Sequence, residues 1–147
     1  MKVAPTNGGS SSEDDATLFS LATEFLEAAK VLDSVNPKRV GYDVVIRYLL
    51  GHSAELLLKS YLVRQGIVSI EKLSKRPFGH NLAHLLDAAI AGGLSCESKS
   101  IRSLSGAYTG KVLEYRPRIE MTFSSRVVLI AEIEQLERSV AMGIRWC

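Results

Sequence analysis

Tyr48, His52, Glu55 and Lys59 follow one another at steps of four, three and four residues. At about 100° per residue they fall within roughly 60° of one another on a helix, one polar stripe on an otherwise apolar surface. Two readings fit these residue types. In the plainer one, Glu55 and Lys59 form an i,i+4 ion pair worth about 0.2–0.5 kcal/mol, with His52 on the same solvated face. In the sharper one, the stripe lines a cleft between helices, where Lys59 offers its charge to an anion and Glu55 orients it.

A second group lies in Lys75-Arg76-Pro77-Phe78-Gly79-His80-Asn81-Leu82. Gly79 lets the backbone turn tightly, so that His80 or Asn81 stands at the start of a helix. Free amides there, beside Lys75 and Arg76, would make a place for phosphate; the plainer alternative is a simple helix cap. A third group, Lys111, Tyr115, Arg116 and Arg118, surrounds Pro117. Tyrosine and arginine together stack on a base and meet phosphate, but a formal net charge of +2 excludes broad electrostatic capture of nucleic acid.

Several chemistries are absent. There is no GxxxxGK[ST] phosphate loop, no strand-linked GxGxxG and no HExxH. His80 and His84 are four apart, yet no third ligand accompanies them, so no metal and no cofactor are expected. Ser53 beside His52 makes no nucleophile–base pair, because adjacent helical residues point about 100° apart.

The elements that carry these residues are helical throughout. The chain has 147 residues, 46% hydrophobic and 23% charged, which suits one domain with a real core. Residues 1–13 are rich in Gly, Pro and Ser and read as a disordered tail. Leu18, Leu21, Ala22, Phe25, Leu26, Ala29 and Leu32 predict a helix over about 15–34, ended by Asn36-Pro37. A second runs from about 38 to 65, with Asn36 as cap, Pro37 in the first turn, and apolar residues over most of its circumference. A basic loop at 72–79 leads to a third helix over about 81–91 and a Ser-rich fourth over about 96–110. The segment 111–122 reads as irregular, and Ser124 or Ser125 caps the last helix. The sum is an all-α, up-and-down bundle of about five helices over residues 14–147. Cys96 and Cys147 form no disulfide framework, and no apolar run approaches the ~20 residues of a membrane span. A cytoplasmic chain with no membrane partner is expected.

The segments GHSAELLLKSYLVRQG (residues 51–66), FGHNLAHLL (78–86) and YRPR (115–118), in this order, resemble the HEPN superfamily, the nucleotide-binding helical domains of higher eukaryotes and prokaryotes. The likeness rests on His52, Glu55 and Lys59 in a His-x-x-Glu-x-x-x-Lys helix, on Gly79, His80 and Leu82, and on the aromatic-Arg-x-Arg turn. It implies a bundle of about five helices, often dimeric, in proteins of nucleotide or RNA handling, toxin–antitoxin pairs and phage defence. Many members are metal-independent ribonucleases with an Arg followed four to six residues later by His near a late helix. Here no histidine follows His84, and Arg47 and His52, though spaced suitably, diverge by about 140° on a helix. The chain is therefore expected in the branch without the nuclease motif, binding a nucleotide or another phosphate-bearing ligand. Lys59, Arg76 and His80 would meet the phosphates from one shared cavity, Glu55 would position Lys59, and Tyr115 and Arg116 would stand near the base. The rival expectations are a homodimeric module, or one paired with a nucleotidyltransferase or antitoxin through an apolar helix face, and a ribonuclease using Arg47 and His52.

Overall fold

The computed structural model describes residues 11–35, 40–73, 75, 78–109 and 125–146. Among these, the backbone forms five α-helices and no strand: α1 (Ser11–Val35), α2 (Val40–Arg64), α3 (Leu82–Ala91), α4 (Lys99–Thr109) and α5 (Arg126–Trp146). A single 3-10 turn, Ile70–Lys72, lies between α2 and α3, where the sequence suggested only the approach to a loop. The all-α bundle of five helices is as the periodicity requires.

The helix ends differ from expectation where side-chain chemistry moves them. Helix α1 already includes Ser11 to Asp14, which the sequence placed outside the helix. Helix α4 begins at Lys99 because Ser98 accepts a hydrogen bond from the Ile101 amide at 3.0 Å and so caps it. Glu132 of α5 reinforces that end, accepting from the Ser98 hydroxyl and from the Ser100 amide. Of the two serines offered as cap for α5, Ser125 does the work, with Val128 N donating to its Oγ at 3.2 Å. Residues 1–10 of the expected tail and the expected Asn36-Pro37 cap lie outside the described residues.

Helix α2 is the axis of the molecule and packs against all four other helices. Ile46, Leu50, Leu57, Leu58 and Leu62 are fully buried along it, each contributing about 1.5–3 kcal/mol by removal from water. Ala22, Ala29 and Ala54 let α1 approach α2 closely. Ser53 Oγ donates to Ala22 O and Ser60 Oγ to Asp15 O, both at 2.8 Å. Late α2 thus meets early α1, so the two run antiparallel. Most of the apolar circumference of α2, read from sequence as a face for a second copy, is covered by neighbours within the chain, while Val45 stays exposed.

At the other end of this pair, Arg126 at the start of α5 ties three helices together. Its Nε donates to Asp33 of α1 at 2.8 Å and its Nη1 to Asp43 of α2 at 2.7 Å. Asp43 also accepts from Arg47 Nε at 3.0 Å. Burial would raise the Asp43 pKa, but the two guanidiniums outweigh it and hold it below the ordinary value. Replacing Arg126 by Met leaves two neighbouring carboxylates without this shared counter-charge in a partly dry site. Urea unfolding at pH 7 should show a loss of about 1–3 kcal/mol for Arg126→Met, against less than about 0.5 for the exposed Arg138→Met.

Candidate functional site

The polar stripe of α2 does not face open water. Glu55 is 2% exposed, in the middle of the axial helix, and is surrounded by donors from three parts of the chain. Lys59, one turn on, donates to Oε2 at 2.6 Å. Tyr108, at the end of α4, donates its hydroxyl to Oε1 at 2.6 Å. His80, just ahead of α3, places Nδ1 at 3.1 Å from both carboxylate oxygens. His52 comes within 3.6 Å of Oε1 through Nδ1, which also lies 2.9 Å from the Tyr108 hydroxyl.

Local sequence explains why each group arrives. The i,i+4 spacing brings Lys59 to Glu55. Gly79, at φ +41°, lets the chain turn just before His80. Tyr108 reaches Glu55 because residue 51 is glycine. A Cβ there would lie 2.6 Å from Tyr108 Cδ1 and 2.9 Å from Cε1, so any larger residue would push the ring away. Gly51, a weak point of α2 by helix propensity alone, is the floor under the tyrosine. Aromatic rings complete the enclosure. Tyr48 stacks on His52 with centroids 6.2 Å apart and planes 6° apart, and Phe25 of α1 meets His52 edge-on at 4.5 Å.

Burial alone would raise the Glu55 pKa. The hydrogen-bonding neighbours His52, Lys59 and Tyr108, together with the Lys59 charge, outweigh it and lower it to about 2. The carboxylate is thus ionised at any physiological pH and cannot serve as a general acid or base there. Its chemical capacity is to accept hydrogen bonds, and so to fix the orientation of the groups that donate to it.

Two of the residues expected to meet a phosphate, Lys59 and His80, do converge, but upon Glu55. Lys59 is only 8% exposed and its charge is matched by Glu55, so it is turned inward and not toward a ligand. His80 and His52 form the more accessible edge, with side chains 52% and 25% exposed. Arg76, Tyr115 and Arg116 lie outside the described residues, as do Lys111 and Arg118. The helix-start amides proposed for phosphate are partly taken: His84 N donates to the Asn81 cap and Ala83 N to Ser105 Oγ, both at 3.0 Å. Ser105 comes from α4, whose serines thereby serve helix ends.

The Arg47/His52 pairing is not formed. Arg47 is 7% exposed and engages Asp43, four residues toward the helix start, whereas His52 lies five residues the other way. Ser53 is buried against the α1 backbone, away from His52's partners. His80 turns to Glu55 while His84 sits against the Phe78 ring at 5.0 Å, and among the described residues no group of three His, Cys, Asp or Glu side chains is arranged to hold a metal ion. A groove of about 420 Å³ lined by Tyr61, Leu94, Gln135, Ser139 and Met142 carries no charged side chain. No helix among the described residues is long and apolar enough to cross a membrane.

Tyr108 is the member of the site that the sequence did not disclose. The signal available for it was Gly51, an unforced glycine in the middle of a strong helix, which marks a close approach by something bulky.

Because the folded pKa of Glu55 is depressed, its contribution to stability is complete above the ordinary carboxylate value near 4.5 and is lost as pH falls toward 2. Glu55→Gln should cost roughly 3 kcal/mol at pH 7, and the gap to the parent chain should close to about 1 kcal/mol at pH 3, read by urea unfolding at both pH values. A gap independent of pH would show that the carboxylate charge is not what matters. Compared with family models, with curated proteins and with solved structures, the chain matches none.

Proposed function

We propose that the chain is a binding module of HEPN type for a nucleotide or another phosphate-bearing ligand, and that the His52–His80 edge of the Glu55 cluster receives it. The observation that carries this reading is a buried carboxylate, ionised at neutral pH, anchoring two imidazoles at an accessible edge. The His52 ring, held in place from behind through Nδ1, keeps its outer nitrogen for a ligand at little further entropic cost. Lys72 and Lys75, exposed in the segment that leads to His80, add positive potential on the same approach. Tyr48, stacked on His52 and only partly buried, adds an aromatic ring to the same edge.

The likeness of residues 51–66, 78–86 and 115–118 to the HEPN pattern supports the same reading, in which Arg76, Tyr115 and Arg116 are further expected contacts. Binding is favoured over ribonuclease action because Arg47 is committed to Asp43 and Glu55 is fixed in its ionised form. Lys59 acts in this reading through Glu55, as its counter-charge, and not by touching phosphate.

Isothermal titration with ATP, GTP and their monophosphates tests the proposal. Saturable heat is expected below millimolar concentration, with affinity reduced at least about tenfold by His80→Ala and changed little by Lys30→Ala at the distant α1–α5 contact. No heat with any of the four ligands up to millimolar concentration would count decisively against it.

A further inference from the structure

The hydrogen-bond chain around Glu55 fixes which nitrogen of His52 carries a proton, and this sets the form of ligand the edge accepts; the inference rests on the phosphate-binding reading above. Glu55 is ionised beside Lys59, so its oxygens only accept. The Tyr108 hydroxyl has a single hydrogen, and at 2.6 Å it donates that hydrogen to Glu55 Oε1. Tyr108 therefore has only lone pairs left for His52. The 2.9 Å contact between them is a hydrogen bond only if His52 Nδ1 is the N–H and donates to the phenol oxygen. The nearby Glu55 oxygen, 3.6 Å from the same nitrogen, favours a proton there as well. The other nitrogen of the neutral ring, Nε2, then carries a lone pair, and among the described residues no hydrogen bond engages it.

We infer that His52 is held as the Nδ1–H tautomer, with Nε2 as a proton acceptor at the edge of the site, so that a phosphate group binds there only together with one proton. A bare Nε2 lone pair facing a phosphate oxygen is repulsive. A proton between them converts the contact into a charge-assisted hydrogen bond. For a dianionic monophosphate the balance is simple: one proton leaves the buffer and lies between His52 Nε2 and a phosphate oxygen, and no covalent bond changes. The surroundings of the ring permit this. Phe25 of α1, Tyr48 of α2 and Tyr108 of α4 pack on it without charge, and among the described residues Glu55 is the charged group that faces it. His80, from the segment before α3, meets the same Tyr108 ring edge-on at 6.3 Å.

Two measurements on the full chain decide the matter. Nitrogen-15 NMR of the ligand-free protein at pH 8 should show His52 protonated at Nδ1 and bare at Nε2; a ring protonated at Nε2 overturns the inference. Calorimetric titration with adenosine monophosphate at pH 8, in buffers of different ionisation heat, should show uptake of between about half and one proton per ligand, most of it lost in His52→Asn. Binding without proton uptake, or uptake that His52→Asn leaves unchanged, also overturns it. Failure of the underlying reading looks different: no monophosphate binds in any buffer, and the proton-coupled site falls with it.

Discussion

A carboxylate inside a helical bundle is tolerable only when donors surround it, and at Glu55 this requirement organises three separate parts of the chain. Lys59 supplies the charge, Tyr108 reaches in from the end of α4, and His80 holds the segment that leads into α3. Removing the ion from water costs several kcal/mol before any contact is counted. The partners therefore have to be in place together, and their placement sets the spacing of α2, α3 and α4. Elsewhere the bundle is conventional in its energetics, with fully buried aliphatic side chains along α2 and small residues between α1 and α2.

Other features that look like weaknesses in the primary structure follow from the same constraint. Gly51 lowers the helix propensity of α2 but lets the Tyr108 ring lie against the backbone. The serines in and just before α4 lower the apolar content there, yet Ser98 and Ser105 satisfy amides at the starts of α4 and α3. With those ends anchored, His80 and the Asn81 cap are held at a fixed place beside α2. The imidazoles are thus fixed by packing and hydrogen bonding and stay partly exposed, the combination a recognition site requires.

Much of the fold was legible in the sequence, because each helix carries a clear three-to-four residue repeat and recognisable stops. Gly66 and Gly92-Gly93 punctuate the chain as their backbone chemistry dictates. The start of α1 was less clear, since the sequence from Ser11 to Asp14 has no apolar pattern. For the site, the one-turn relation of Glu55 and Lys59 could be read from spacing alone, but its burial could not. Whether that face of α2 meets water depends on where α4 packs, and Tyr108 lies 53 residues away. The free amides expected at the start of α3 were illegible for the same reason, because Ser105 is a tertiary partner.

The account stands on the interaction of Glu55 with Tyr108 being an energetic tie and not a coincidence of packing. A double-mutant cycle with Glu55→Gln and Tyr108→Phe, read by urea unfolding at pH 7, measures that tie directly. The predicted coupling is about 1–2 kcal/mol, as for a charge-assisted hydrogen bond closed off from water. Single-variant losses that add to within about 0.3 kcal/mol would contradict the account.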